Sequence, residues 1–320
     1  MKYHIITFGC QMNEADSERI AADLERKKYK KASKIDEADL IVVNMCSVRQ
    51  SAVDRVYGLL PKFKKLKART ILTGCILKED RRKLKNRFDE IKEMQQHNCC
   101  SSLIPISKGC NNFCSYCVVP FTRGRLICRD HKAILKETKR AIKAGIKEIW
   151  LLGQNVNDYH SPTNKSVNFA QLLKQVNNIK GNFSIRFISP HPKNFTDELI
   201  TTMAKSKKVA KYLNLPVQSG DNQILKKMKR PYSIKQYKDL VKKIRKEIPE
   251  INLSTDVIVG FPGETKKQFQ NTVKLFKEIK FNMAYINKYS PRPGTTSFQL
   301  KDNIPLKIKK QREKILRKLI

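Results

Sequence analysis

Residues 109–117 read Gly109-Cys110-Asn111-Asn112-Phe113-Cys114-Ser115-Tyr116-Cys117, with three cysteines spaced as C-x3-C-x2-C. Three thiolates at this spacing can hold three irons of a cubane 4Fe–4S cluster, which normally takes four cysteines. The fourth iron would stay open, so the cluster could bind a small molecule as well as carry electrons. A closed zinc site needs a fourth Cys or His at short range, and the next cysteine, Cys128, lies eleven residues further on. A chance group of buried cysteines is the remaining alternative, and the spacing favours the open-iron cluster over both.

The composition indicates a globular protein of a reducing compartment. The chain has 320 residues, of which 40% are hydrophobic, so it can bury a large core, and we expect two domains. No run approaches the roughly 18 apolar residues of a membrane span, and no signal peptide opens the chain. Nine cysteines, several of them in metal-like spacing, suit the reducing cytoplasm better than a disulfide scaffold.

The charge balance favours a polyanionic partner. The chain carries 66 lysines and arginines against 29 aspartates and glutamates, a formal net charge of +37. Nucleic acid is the obvious partner for such an excess. A general lysine bias is the alternative, because lysine far outnumbers arginine and is spread over most of the predicted helices.

Three apolar runs near the start of the chain are each followed closely by a cysteine. The runs and their cysteines are 3–8 with Cys10, 40–44 with Cys46, and 70–73 with Cys75. Helical patterns at 16–27 and 51–67 separate the runs, which is typical of a parallel α/β sheet. Because the carboxyl ends of parallel strands share one edge, the three cysteines should meet there and hold a second cluster. Cys46 and Cys75 could instead be buried small apolar residues.

The rest of the chain repeats strand and helix patterns six times. The predicted strands are 103–107, 148–152, 184–188, 212–215, 253–259 and 284–289, and the helices between them are 132–144, 167–179, 197–205, 233–246 and 266–279. We expect a partial (β/α)6 barrel whose functional rim is formed by the carboxyl ends of its strands. Gly145 should end one helix, and Thr196 and Thr265 should cap two others.

A less regular stretch around residues 94–102 separates the two regions. It contains the adjacent cysteines Cys99 and Cys100, which we interpret as part of a linker. We therefore expect an amino-terminal domain at 1–98 and a barrel domain at 99–320. Two isolated histidines, His131 and His160, are expected at the surface.

Several motifs resemble one known family in order along nearly the whole chain. The aromatic Tyr116 before the last cysteine of 109–117 is typical of the radical S-adenosylmethionine (SAM) superfamily. The further motifs lie at 9–18, 44–49, 74–75, 117–125, 152–157, 189–192, 215–220, 256–264 and 289–295. Together they resemble the radical SAM methylthiotransferases. Gly9-Cys10-Gln11-Met12-Asn13 and Cys46-Ser47-Val48-Arg49 are similar to the branch that modifies prenylated adenosine next to the tRNA anticodon. The alternatives are the threonylcarbamoyl-adenosine branch and the ribosomal-protein branch.

The resemblance implies a reaction that uses two 4Fe–4S clusters. The cluster of Cys110, Cys114 and Cys117 would bind SAM through its open iron and cleave it to a 5′-deoxyadenosyl radical, which removes hydrogen from C2 of the adenine ring. The cluster of Cys10, Cys46 and Cys75 would present the sulfur, and another SAM would supply the methyl group. Cofactor radicals are needed because no side chain could deprotonate this carbon, so the protein's task is positioning. A low-potential donor of the flavodoxin or ferredoxin type would supply the electron.

Other site residues follow from the resemblance alone. Those implied to contact SAM are Tyr116, Gln154, Asn155, Ser189, His191, Gln218, Ser219 and Gly260. Most of them follow predicted strands and could instead satisfy backbone groups at turns. Arg123, Arg125 and Arg129 form a basic stripe beside the cluster, suited to phosphates or the SAM carboxylate. Arg123, Arg125 and Arg292 are the expected contacts for the tRNA anticodon stem-loop, with solvated arginines as the alternative. We expect a monomer without membrane contact.

The sequence also departs from the family pattern. The segment from Cys75 to Cys110 is short, Asn214 replaces an expected histidine, and Leu126-Ile127-Cys128 stands where an acidic residue and a serine are usual. No complete carboxyl-terminal TRAM β-barrel is visible, because the chain stops at Ile320 in a basic helical pattern. An RNA-binding iron–sulfur or zinc protein without catalytic turnover is therefore a competing hypothesis.

Overall fold

The computed structural model describes residues 1–94 and 99–320, and residues 1–94 form an amino-terminal region with a parallel sheet flanked by helices. The elements are β1 (Lys2–Phe8), α1 (Gln11–Arg26), β2 (Lys30–Lys31), β3 (Leu40–Cys46), α2 (Gln50–Phe63), β4 (Arg69–Cys75), α3 (Lys78–Leu84) and β5 (Glu90–Ile91), with a 3-10 turn at Ile35–Glu37. The strands lie in the order β2-β1-β3-β4-β5, and every pairing is parallel. All seven residues of the central β3 are buried, which explains its continuous apolar run.

The second region, residues 99–320, alternates strands and helices. Its elements are β6 (Leu103–Pro105), β7 (Ser107–Lys108), α4 (Val119–Thr122), β8 (Ile127–Cys128), α5 (His131–Lys143), β9 (Glu148–Leu152), α6 (Phe169–Asn177), β10 (Ser184–Phe187), α7 (Asp197–Lys205), β11 (Tyr212–Asn214), α8 (Asn222–Lys227), α9 (Ile234–Glu247), β12 (Asn252–Val259), α10 (Lys266–Ile279), β13 (Met283–Lys288) and α11 (Leu306–Arg317). Short 3-10 turns lie at Val156–Asp158, Pro192–Asn194 and Thr296–Gln299.

These strands follow one another in space as they do in sequence. One sheet has the order β6-β9-β10, and a second has the order β11-β12-β13, both parallel. A parallel bridge between Ile185 and Val209 connects the two sheets. The result is the open α/β barrel expected from the sequence, with a single large apolar core inside it.

Most predicted boundaries agree with the structure to within a residue or two, and the local signals act as expected. Gly145 has φ 89° and directly follows Ala144, the C-cap residue of α5. Thr196 accepts a hydrogen bond from Leu199 N, and Thr265 forms a capping box with Gln268. These contacts satisfy amide groups that a helix start leaves without an internal partner.

Four expectations need correction. Helix α1 begins at Gln11 rather than Asp16, because Cys10 already takes the cap position two residues after β1. The predicted strand 103–107 is split, since Pro105 has no amide hydrogen for a ladder, and β7 pairs antiparallel with β8 instead. Helix α2 ends at Phe63, four residues early. His131 is buried, with Nδ1 at 2.8 Å from Ser161 Oγ.

The proposed domain boundary between residues 98 and 99 borders the segment 95–98, which lies outside the described residues. The division into 1–98 and 99–320 therefore stays a prediction. Among the described residues, no helix combines the length and apolar character needed to cross a membrane.

A buried ion network joins α1 to the barrel. Glu137 on α5 is only 4% exposed, and its two carboxylate oxygens bind Arg19 from α1 and Arg129 from the segment after β8. Arg19 also donates to the Leu103 carbonyl at 3.3 Å. A buried carboxylate shared by two guanidinium groups fixes the orientation of the helix that begins at Cys10.

We predict that Glu137→Gln lowers the free energy of unfolding by roughly 3 to 5 kcal/mol, because it leaves buried guanidinium charge without a counter-ion. Urea unfolding followed by circular dichroism measures the change. Glu79→Gln is the control, since Glu79 pairs with Lys83 at the surface of α3 and its loss should leave the unfolding midpoint unchanged. Equal midpoints for the two variants would contradict a structural role for the network.

Candidate active site

The first three-cysteine set lies at the carboxyl edge of the first sheet. Cys46 and Cys75 are the last residues of neighbouring strands and are directly paired in register. Cys10 follows β1 and occupies the cap position of α1. Cys46 and Cys75 are buried, whereas Cys10 is half-buried. The structure therefore brings together cysteines that lie about thirty residues apart in sequence, as the strand pattern predicts.

Asn13 connects these thiols to the sheet, and the sequence reasoning did not identify it as a site residue. Its Oδ1 accepts hydrogen bonds from the thiols of Cys10 at 3.6 Å and Cys75 at 3.9 Å. Its Nδ2 donates to Asn44 Oδ1 at 2.8 Å, and Asn44 returns a hydrogen bond to the Asn13 carbonyl at 2.8 Å. The signal available in the sequence was an asparagine three residues after a cysteine, on the face of α1 that is buried.

A glycine at the end of β4 makes room for this arrangement. Gly74 has φ 105°, and a Cβ there would come within 2.4 Å of Asn44 Oδ1 and of the Met45 carbonyl. Any larger residue would push the two asparagines away from the thiols.

Arg123 reaches this set from the second region, residues 99–320. Its Nη2 donates to Asp16 Oδ2 at 2.8 Å and to Asn13 Oδ1 at 3.4 Å, and its side chain is only 7% exposed. Arg292 is also buried, contacts Gln50 at the start of α2, and leaves Nε and Nη2 without partners among the described atoms. Both arginines are therefore poorly placed for the RNA phosphates to which the sequence assigned them.

The charge around the first set favours one thiolate. The hydrogen bond that Cys46 accepts from Cys75 lowers the pKa of Cys46 to about 6, against the opposing effect of burial. Backbone amides of Val48 and Arg49 and the charge of Arg123 act in the same direction. The same hydrogen bond, followed by burial, raises the pKa of Cys75 well above its usual value. A thiolate is the form that binds iron, so the site is prepared for a metal.

The second set lies on a loop closed by the β7–β8 pair. Gly109 has φ 81°, and a Cβ there would come within 2.0 Å of the Arg125 carbonyl, so only glycine fits. The Gly109 amide donates to Gln154 Oε1 at 2.6 Å. The Cys110 amide donates to the Gly124 carbonyl at 3.1 Å. These contacts hold the loop in a fixed path over the carboxyl ends of the barrel strands.

Burial governs the thiols of this second set. It raises the pKa of Cys110 and, most strongly, raises the pKa of Cys117 to about 12, with the neighbouring thiols adding to the shift. Cys114 lies 3.7 Å from Nη1 of the buried Arg230. The thiols of Cys110 and Cys117 must therefore lose protons when they bind iron.

Two buried side chains near the loop have polar atoms without partners. Asn155 is 1% exposed, yet both atoms of its amide group have no partner among the described atoms. The Nδ1 of His191 accepts a hydrogen bond from the Lys193 amide, so Nε2 carries the proton, and this Nε2 also has no partner. Buried polar groups are normally satisfied, so the free hydrogen-bonding capacity of Asn155 and His191 suits them to a polar ligand.

The other residues implied to contact SAM differ in their surroundings. Gln154 holds Gly109, and Ser219 Oγ accepts from the Asp221 amide at 3.2 Å. Ser189 and Gln218 have positive φ angles of 59° and 69°. The remaining two are placed as follows: Gly260 donates its amide to Glu264, and Tyr116 packs against Ile224, Met228, Phe261 and Tyr289.

The donor groups fit two clusters better than zinc. Each set offers three sulfurs, and none of the six cysteines is in a disulfide. Among residues 1–94 and 99–320, no three His, Cys, Asp or Glu side chains are grouped as ligands of a single metal ion, as a zinc site requires. In a 4Fe–4S cluster each thiolate binds its own iron, so the sulfurs need not converge on one point.

The two sets lie at the same end of the protein. Cys10 packs against a buried cluster that includes Leu152 at the carboxyl end of β9, and the second set follows β6 and β7. A cavity of about 450 Å³ lies where the regions 1–94 and 99–320 meet. Residues of both regions line it, among them Cys75, Asn44, Ser107 and Arg123.

Comparisons with known sequences agree with this site. Residues 104–276 match the Radical SAM superfamily, and residues 2–95 match the uncharacterized protein family UPF0004. Curated proteins from Clostridium botulinum (strain Hall) and Clostridium novyi (strain NT) are each 38% identical over 97% of this chain and 79% of their own length. A third, from Thermoanaerobacter sp. (strain X514), is 38% identical over 97% of this chain and 76% of its own. All three are named tRNA-2-methylthio-N(6)-dimethylallyladenosine synthase.

The chain therefore belongs to the radical SAM superfamily and, within it, to the family of these synthases, which confirms the resemblance inferred from the motifs. Among solved structures, the cobalamin-dependent radical SAM enzyme OxsB in its apo form matches with a TM-score of 0.60 at 10% identity, over 99% of this chain. This chain spans 56% of OxsB, and the likeness supports the fold alone.

We predict that His191 makes the protein less stable as the pH falls below about 6.5. Burial, and then the charges of Arg230 and Lys193, lower the pKa of His191 to about 3. Between these pH values the unfolded chain takes up a proton that the folded protein refuses, so the free energy of unfolding decreases by at most about 1.4 kcal/mol per pH unit. His191→Gln should flatten this dependence in urea unfolding between pH 6.5 and 4.5. The exposed His160 is the control, and an equally steep dependence in His191→Gln and His160→Gln would exclude this role.

Proposed function

We propose that this protein is a radical SAM methylthiotransferase that adds a methylthio group to C2 of an N6-prenylated adenosine next to the tRNA anticodon. The observation that carries the proposal is the pair of three-cysteine sets at one end of the fold, in a chain 38% identical to the named synthases. The protein is an enzyme of this type, and its family uses SAM and 4Fe–4S clusters.

The six cysteines would hold the two clusters. Cys110, Cys114 and Cys117 would bind the cluster that contacts SAM, and Cys10, Cys46 and Cys75 the cluster associated with sulfur. When bound, SAM and the clusters supply the radical, the sulfur and the methyl group. The contribution of the chain is then to hold the two sets at a fixed separation and to keep water away from the reacting centre, through the buried Asn13, Asn44 and Arg123.

Asn155 and His191 are the residues best suited to orient SAM. Their unpartnered amide and imidazole atoms are buried near the loop that carries the second set. The low pKa of His191 keeps its imidazole neutral, so that it would donate a hydrogen bond without adding charge. Tyr116, Ser189, Gln218 and Gly260 would shape the pocket by packing and by backbone conformation, and Gln154 would act through Gly109.

The exposed face of the cysteine loop is suited to an anticodon loop. The Arg125 guanidinium stacks on the ring of Phe113 at 4.3 Å, and Phe113 and Phe121 are 40% and 52% exposed. Flat aromatic and guanidinium groups stack on unpaired bases, and Arg125 also meets the phosphates. Access of the adenine to the site requires unstacking it from its neighbours. A low-potential flavodoxin or ferredoxin would supply electrons to a monomer in the cytoplasm.

We predict that Cys114→Ala and Cys46→Ala separate the two steps. Each variant should retain about four of the eight irons of the reconstituted protein, because each loses one cluster. Cys114→Ala should form no 5′-deoxyadenosine, whereas Cys46→Ala should form it but make no methylthio product on a prenylated anticodon stem-loop. Mass spectrometry of the nucleosides and of 5′-deoxyadenosine measures both steps.

Cys128→Ala is the matched control for these variants, because Cys128 is a free, half-buried cysteine outside both sets. It should keep both clusters and both activities. Normal 5′-deoxyadenosine formation by Cys114→Ala, or normal product from Cys46→Ala, would refute the cysteine assignment.

We predict that binding of the stem-loop is steeply salt-dependent and that Arg125 contributes to it. Each neutralised phosphate contributes about 0.7 to 0.9 to the magnitude of the slope of log affinity against log salt, so Arg125→Ala should reduce that magnitude by this amount. Fluorescence anisotropy at several salt concentrations measures the slope. Arg26→Ala is the control, because Arg26 is 66% exposed at the opposite end of α1 from Cys10. Identical slopes for the two variants would remove Arg125 from the RNA surface.

A further inference from the structure

Arg230 is buried beneath the loop of the second cysteine set. The residue is 7% exposed and follows α8. Its Nε donates to the Tyr232 hydroxyl at 2.9 Å, and its Nη2 donates to the Pro216 carbonyl at 2.8 Å. Its Nη1 points at Cys114 Sγ, 3.7 Å away. Two of the three nitrogens therefore bind neutral oxygens, and the third meets sulfur.

The position of Arg230 is fixed by the backbone on both sides of it. Lys229, with φ 54°, follows Met228, the C-cap residue of α8, and the Arg230 amide donates to the Leu225 carbonyl at 2.9 Å. The Ser115 amide, next to Cys114, donates to the Met228 carbonyl at 3.0 Å. The end of α8 and the cysteine loop are thus joined directly, so the guanidinium cannot move away from Cys114 without breaking these contacts.

The charge of Arg230 has no carboxylate partner among the described residues. Other buried arginines do have one: Arg19 pairs with Glu137, Arg123 with Asp16, and Arg312 with Glu264. The ionisable groups that interact electrostatically with Arg230 are Cys114, Cys117, Tyr116, Tyr232, Tyr237, His191 and Asp256, of which the Asp256 carboxylate lies beyond ion-pair distance. A buried charge is costly unless it is paired, and Cys114 is the group in contact that becomes an anion when it binds iron.

We propose that Arg230 is a positioning residue for the cluster held by Cys110, Cys114 and Cys117. Arg230 donates an N–H···S hydrogen bond to Cys114 and thereby raises the reduction potential of that cluster. The inference rests on the proposed function, which assigns these cysteines to a cluster. One-electron reduction adds a negative charge beside the guanidinium, and the buried surroundings screen the attraction weakly. Net charge and hydrogen bonds to the sulfurs are the established means by which a protein tunes such a potential.

Redox titration of the full chain with both clusters, followed by electron paramagnetic resonance without SAM, tests the proposal. The same titration of Cys46→Ala assigns the signal of the cluster near Arg230. Arg230→Gln should shift the reduction equilibrium of this cluster about tenfold toward the oxidised form, which is about 59 mV for a one-electron couple. The cluster of Cys10, Cys46 and Cys75 should keep its potential and serves as the internal control. Because SAM is absent, a lost contact to SAM cannot cause the shift.

Arg230→Lys is the conservative variant, and it should shift the equilibrium less than Arg230→Gln because it keeps the charge. An unchanged potential in Arg230→Gln, with the normal iron content, would overturn this inference and leave the proposed function intact. If Cys114→Ala instead lost no iron, the proposed function itself would fail.

A measurement on the unaltered chain covers the case in which Arg230→Gln does not fold. With 15N-labelled arginine side chains, pulsed resonance of the reduced cluster should reveal a nitrogen coupled to it, and Arg230→Lys should lack this coupling. Absence of the coupling in the unaltered chain would overturn the proposal.

Discussion

The buried contact of Arg123 with Asp16 and Asn13 is the interaction on which the arrangement of the site depends. Arg123 lies six residues after Cys117, and Asn13 contacts two thiols of the other set. The Arg123 side chain thus connects the region 99–320 to the region 1–94 at the place where the chemistry would occur. The Arg19–Glu137–Arg129 network acts further along α1 and fixes the direction of the same helix. With both contacts in place, the two cysteine sets cannot shift relative to each other independently of α1.

Buried arginines offset the negative charge that the cysteines would carry as ligands of iron. Thiolates bound to iron carry negative charge, and the interior screens charge poorly. Arg123 and Arg292 lie near the first set, and Arg230 lies near the second. These guanidinium groups come from segments distant in sequence from the cysteines they face. Burial leaves Arg123 and Arg292 poorly placed for contact with RNA phosphates, although the resemblance implied that role for both.

The surface charge has a different function from these buried groups. Most of the excess of +37 comes from lysines, many of which are exposed on helices. Such a surface attracts a polyanion without selecting a sequence. Selection requires shaped contacts near the reacting atom, and the Phe113–Arg125 stack on the cysteine loop is the candidate for them.

The sequence by itself determined the class of fold, and it predicted the six cysteines as the site, because both depend on local patterns. Apolar runs alternating with amphipathic stretches specify parallel strands and helices. Strands that are buried on both faces, such as β3, form continuous apolar runs and can therefore be located from the sequence. The spacing C-x3-C-x2-C and the cysteines after three strand ends could be interpreted for the same reason. Caps such as Thr265 are also local and were predictable.

Only the tertiary structure decided which polar residues serve the site. A sequence shows that Arg123, Arg125 and Arg292 are charged, but burial depends on contacts with residues more than a hundred positions away. Asn13 and Arg230 were not identified from the sequence, and their significance comes from contacts with distant segments. Asn13 contacts the thiols of Cys10 and Cys75, and Arg230 contacts the sulfur of Cys114. Hydrogen bonds and ion pairs between distant segments form only when the chain has folded, so local patterns carry no record of them.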